Sequence, residues 1–126
     1  MSMLALGTTR AVLCIGNLAF KIARNANGAR GNCFEADLYQ RCDQERRTLL
    51  CPPLWCSPTG AVLIMRRARP MTQSEFAMMK GILMLAWDYR GSDDDGCPFE
   101  PSAKDWGWLD GHPVAVDYAT PALDPL

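Results

Sequence analysis

Leu18-Ala19-Phe20-Lys21-Ile22-Ala23 has the composition of a β-strand with a lysine in its middle, and the fold assignment hinges on it. Side chains alternate faces along a strand. Leu18, Phe20 and Ile22 therefore share one face, and Ala19, Lys21 and Ala23 the other. The bulky apolar face is expected to sit on a core. The second face sets one ammonium between two alanines, a smooth surface that admits a flat ligand. A lysine in a strand also fits a solvated edge, so the choice rests on what surrounds Lys21 elsewhere in the chain.

On the N-terminal side of this segment, Leu4-Ala5-Leu6 and Ala11 to Ile15 read as two strands, with turns at Gly7 and at Gly16-Asn17. A Gly-Asn pair closes a tight hairpin. The first 23 residues are thus expected to form a three-stranded antiparallel meander. Arg24 to Asn32 is polar and rich in Gly and Asn, and reads as a loop. Phe34, Leu38 and Cys42 then recur every four residues, the stripe of a helix, with Glu35 at its margin. Leu49 to Trp55 is strand-like, with Pro52 and Pro53 marking an edge or a bulge. Ala61 to Met65 is an unbroken apolar run, as in a strand buried on both faces.

Thr72-Gln73-Ser74-Glu75 is a capping box that opens a helix running to about Tyr89. Phe76, Met79, Leu83 and Trp87 form one apolar stripe, and Met78, Ile82 and Leu85 form a second. Such a helix is normally covered on more than one side. Asp93, Asp94 and Asp95 come next, in a loop. Trp106 to Leu109, Asp110-Gly111 and Val114 to Tyr118 read as a C-terminal β-hairpin. The expected class is α+β: a mainly antiparallel five-stranded sheet, two helices and that hairpin, in one domain spanning residues 1–126.

Composition bounds the function. At 126 residues and 48% hydrophobic, the chain is expected to be globular. A net charge of −1 and a pI of about 5.7 give no reason to expect direct nucleic-acid binding. No apolar run approaches the ~20 residues of a membrane span, and Met1 to Arg10 does not have the pattern of a signal peptide. A cytoplasmic location with six reduced cysteines is the expectation. Cys51 and Cys56, with His112 as the one histidine, lack the repeated two-residue gap of structural zinc. Most of the cysteines read as small buried hydrophobes. The four tryptophans read as core and hairpin packing, with Trp106 and Trp108 open between core and interface.

The element order and these residues resemble a protein-kinase-like fold, stripped to the N-terminal lobe and a stub of the region beyond it. Ala19-Phe20-Lys21 looks like the Ala-x-Lys strand, whose lysine meets nucleotide phosphates. Glu35 is similar to that lysine's ion-pair partner, and Leu63 to Ala68 to the segment beside the adenine. Asp105-Trp106-Gly107 through Asp117-Tyr118-Ala119 looks like the end of the catalytic loop and the metal-binding Asp-Phe-Gly. Small kinase-like proteins of phages and mobile elements carry similar strings.

The resemblance implies ATP and Mg²⁺ as cofactors, with Lys21, Glu35 and Ala19 at the nucleotide and Asp105 and Asp117 at the metal. The departures point the other way, to a chain that holds no cofactor. Glu100 stands where the family has its catalytic aspartate, and Pro98 where it has histidine. The phosphate-covering loop, Gly7-Thr8-Thr9-Arg10, has one glycine. No stretch corresponds to the helical lobe. The resemblance then implies a non-catalytic binding module that inhibits a host protein machine, a counter-defence protein such as an anti-CRISPR being one case. Its interface would comprise Met78, Ile82 and Leu85, rimmed by Asp93, Asp94 and Asp95, against a host protein or a second copy in a homodimer. A minimal ATP- and Mg²⁺-binding phosphotransferase or nucleotide-binding regulator is the alternative.

Overall fold

The computed structural model describes residues 2–89 and 98–119. Its first three strands, β1 (Ser2–Leu6), β2 (Arg10–Ile15) and β3 (Leu18–Ala23), form the expected antiparallel meander. Helix α1 (Ala26–Arg41) follows, then the short helix α2 (Gln44–Arg47) and strands β4 (Pro53–Cys56) and β5 (Val62–Arg66). Strand β5 inserts between β3 and β4, so the five-stranded sheet runs β1-β2-β3-β5-β4, antiparallel throughout. Strand β6 (Arg69–Pro70), helix α3 (Gln73–Tyr89) and the hairpin β7 (Trp106–Leu109) and β8 (His112–Ala115) complete the chain. A small second sheet has the order β6-β7-β8. The architecture is α+β with three helices where two are expected from sequence.

Local signals place most of these elements. Thr72 and Glu75 cap α3 reciprocally: the Glu75 amide donates to Thr72 Oγ1 at 3.1 Å, and the Thr72 amide to Glu75 Oε1 at 2.9 Å. Asp110 (φ +52) and Gly111 (φ +84) make the tight turn between β7 and β8. Strand pairing in that hairpin stops at Ala115, short of the expected Tyr118, because Val116 and Asp117 turn their amides onto the Asp105 carbonyl.

Helix α1 begins within the segment expected to be a loop. Asn25 is its N-cap, accepting from the Gly28 amide at 3.0 Å. Gly28, one of the glycines that suggested a turn, is there for close packing. A Cβ on Gly28 would lie 2.1 Å from the Thr9 carbonyl oxygen. The early start also moves Glu35 from the margin of a stripe to the centre of the buried face, with Gly28, Gly31, Asn32 and Leu38. Phe34, expected within the stripe, is only half-buried.

The expected orientation of β3 is inverted. Ala19 and Lys21 are buried, and Leu18, Phe20 and Ile22 lie on the more open side of the sheet. Burial follows the side on which α1 and the C-terminal hairpin pack, and Lys21 is tolerated there because it is paired. Strand β5 is likewise covered on one face only, with Leu63 and Met65 buried and Val62 and Ile64 half-buried. Among the tryptophans, Trp87 and Trp106 are core, stacked edge-on against Phe99, whereas Trp108 is half-buried and Trp55 is exposed.

Candidate functional site

The inner face of the sheet, the N-terminal half of α1 and the end of the hairpin enclose one polar cluster. Arg10, Val12 and Cys14 alternate onto this face of β2, as Ala19 and Lys21 do on β3, and the register sets Val12 opposite Lys21. Asn32 and Glu35 lie one turn apart on α1. Asp117 and Tyr118 follow β8.

Glu35 is the hub of the cluster and is fully buried. Its Oε1 accepts from Lys21 Nζ at 2.8 Å and from Arg10 Nη1 at 2.8 Å. Its Oε2 accepts from the Tyr118 amide at 2.8 Å and from Arg10 Nη2 at 3.2 Å. Burial alone would raise its pKa. The Lys21 and Arg10 charges overcome that and hold it down at about 2. Lys21 also donates to the Val116 carbonyl. An ammonium has three N–H groups, so this geometry leaves one for a ligand.

Arg10 is the residue that sequence reading missed. It is buried, and its terminal nitrogens donate to Asn32 Oδ1 at 3.0 Å, to both Glu35 oxygens, and to Asp117 Oδ1 at 2.9 Å. Those contacts use all four N–H groups on the two terminal nitrogens. Asn32 in turn donates to the Lys21 and Gly60 carbonyls at 3.0 and 2.8 Å, tying α1 to the sheet. Strand parity held the missing signal: Arg10 and Lys21 fall on one face of adjacent strands once the Gly16-Asn17 turn fixes the register.

The structure brings Lys21, Glu35 and Asp117 together through Arg10. Asp105 lies beside them, accepting from the Glu100 amide at 3.0 Å, while its carbonyl accepts from the Val116 amide at 2.7 Å. Burial, with a further push from the Asp117 charge, raises its carboxyl to about 6. The Glu100 residue is exposed at the rim of the same cleft.

The cleft measures about 830 Å³. It is lined by the apolar Val12, Cys14, Ala19, Met65 and Ala68, and by Arg10, Lys21, Asp105 and Asp117. Two backbone amides where β5 ends are taken up within the chain. The amides of Arg66 and Arg67 donate to the Pro52 and Asn17 carbonyls at 3.2 and 2.8 Å. The Arg66 carbonyl accepts from Cys51 Sγ at 3.1 Å.

The remaining expected site residues lie elsewhere. Met78, Ile82 and Leu85 are exposed on α3 at 82%, 65% and 57%, so the described residues leave that stripe uncovered. Asp93, Asp94 and Asp95 lie outside the described residues. Cys51 and Cys56 do not converge. The Cys56 thiol donates to the Ser57 carbonyl at 3.4 Å, away from the site Cys51 occupies.

No family model matches the chain, and no curated protein matches it in sequence. Among solved structures, it superposes on a choline/ethanolamine kinase family protein from Mesorhizobium loti with a TM-score of 0.56 at 14% identity. The match covers 95% of this chain and 58% of that one. The fold is therefore kinase-like, and the chain spans little more than half the length of that protein.

Proposed function

We propose that this chain is a kinase-like binding module that holds a partner without transferring a phosphoryl group. The observation that carries this reading is the Arg10 guanidinium on Asp117. Phosphoryl transfer needs carboxylates free to hold Mg²⁺ against the phosphates. Asp117, the carboxylate that the resemblance sets at the metal, already holds the Arg10 guanidinium on Oδ1, and a divalent ion brought there would meet like-charge repulsion. The occupied Arg66 and Arg67 amides support the same reading, since neither is left to donate to a base. The partner is a protein, met by the Met78, Ile82 and Leu85 stripe that the described residues leave exposed. Descent from a phage or mobile element, and inhibition of a host machine as its task, rest on the sequence resemblance alone.

A second reading, nucleotide binding, is favoured by the intact Lys21–Glu35 pair at 2.8 Å, with Lys21 lining a cleft that apolar side chains line in part. Thermal melting with ATP, with Mg²⁺-ATP and with Mg²⁺ alone separates the two, run beside a phosphoryl-transfer assay. The binding-module reading expects no stabilisation by any of the three and no transfer. At ~100-fold saturation a bound nucleotide would add about 2.7 kcal/mol. A shift of that order, lost in Lys21→Ala, would establish the second reading, and Mg²⁺-dependent transfer would overturn the first.

A further inference from the structure

The outer face of the five-stranded sheet is apolar across its whole width. Leu4, Leu13, Phe20, Ile64 and Trp55 stand in one register row that crosses all five strands. Leu6, Ala11, Ile22 and Val62 form the next row. Cross-strand partners share a face, so these rows are two contiguous lanes with no ionisable side chain. Arg66 stands at a corner of the face, and its charge is met by Asp110 at 2.7 Å within the same chain. Among the described residues nothing covers the lanes. Leu4, Leu6 and Trp55 are exposed at 59%, 68% and 53%, and Leu13, Phe20, Val62 and Ile64 are half-buried.

We propose that a second copy of this chain covers this face, sheet against sheet, in a symmetric dimer. An uncharged face offers a foreign partner no electrostatic complement to select it, but it is complementary to itself. Two such faces pack about 10 Å apart with interdigitating side chains. The size fits as well. At roughly 150–250 Å² for a whole aromatic side chain and less for each aliphatic one, the exposed fractions amount to several hundred Å², toward the ~800 Å² per partner of a specific interface. An isologous contact also closes on itself, whereas the α3 stripe of one copy seated on the sheet of another would propagate into a chain of subunits.

The test is sedimentation of the full chain through a dilution series. The variants are Leu4→Lys with Leu6→Lys on the sheet, Trp55→Ala at the far end of the same row, and Met78→Lys with Ile82→Lys on α3. The wild type is expected at twice the 14.0 kDa chain mass. The double-lysine sheet variant should be monomeric with an unchanged far-ultraviolet spectrum. Trp55→Ala should weaken the dimer at least ~10-fold, as loss of an interface aromatic does, and it keeps the test decisive if the double-lysine chain fails to fold. The α3 variant should remain dimeric. A monomeric wild type, an open-ended polymer, a dimer untouched by the sheet changes, or one dissolved by the α3 pair would each overturn the proposal.

Discussion

Arg10 and Asp117, 107 residues apart in sequence, meet at 2.9 Å across the mouth of the cleft. The same guanidinium reaches Glu35 and so joins the sheet, α1 and the end of the hairpin through one side chain. Removing it leaves Glu35 with Lys21 and the Tyr118 amide, but strips Asp117 of this ion pair. Deleting one partner of a buried pair costs ~3–5 kcal/mol, and the retained Lys21 pair places Arg10→Ala at the lower end. Urea unfolding measures that loss. The freed Asp117 carboxylate should also make the variant's melting temperature rise with Mg²⁺, a response that the wild type should not show.

Glu35 makes stability depend on pH at the acid end. Its carboxyl falls from 4.5 to about 2 on folding. A depressed carboxyl adds stability above its unfolded pKa and loses it as pH falls through the folded one. The loss therefore spans about pH 4.5 down to 2, on the order of 3 kcal/mol at ~1.36 kcal/mol per unit. Glu35→Gln should unfold more readily at pH 7 and show a flatter curve across that window. An unchanged slope in urea titrations through that window would remove Glu35 as the hub.

Asp105 acts in the opposite sense. Burial and the Asp117 charge lift its carboxyl from 3.8 to about 6. A raised pKa contributes stability that is full below the unfolded value and lost as pH rises through the folded one. The decline therefore falls between about pH 4 and 6. Asparagine removes the buried charge while keeping an oxygen for the Glu100 amide. Asp105→Asn should be as stable as the wild type or more so at pH 7, and the decline should vanish from its stability curve. If Asp105→Asn is less stable at every pH, the carboxylate is serving as a charged partner.

Much of this site was legible because Lys21, Glu35, Asp105 and Asp117 carry local signals: a strand lysine, a helical acid and two acids flanking a hairpin. What burial did to them was not. An apolar strand face is normally the inward one, and β3 breaks that rule because its other face is filled by ion pairs that involve α1. Arg10 escaped for a related reason. Its role depends on tertiary partners 22, 25 and 107 residues away, and the segment holding the first of them, Asn32, has the composition of a loop. The helix there forms because Asn25 caps it and because Gly28 allows the Gly7–Arg10 turn to come close.

Two glycine substitutions test this helix packing with opposite signs. A Cβ on Gly28 would lie 2.1 Å from the Thr9 carbonyl oxygen, which is backbone and cannot swing aside. Gly28→Ala should therefore push α1 off the turn that leads into Arg10. The expected cost is about 1–3 kcal/mol, the range for overpacking, together with weaker anchoring of Arg10. Gly81 lies inside α3 with open space where its Cβ would be. There alanine gains helix propensity and restricts the unfolded chain, so Gly81→Ala should stabilise by ~0.5–1 kcal/mol. Urea midpoints for the two variants settle both signs in one experiment. Equal tolerance at Gly28 would mean that α1 does not need the close approach, and the link from helix start to Arg10 would have to be dropped.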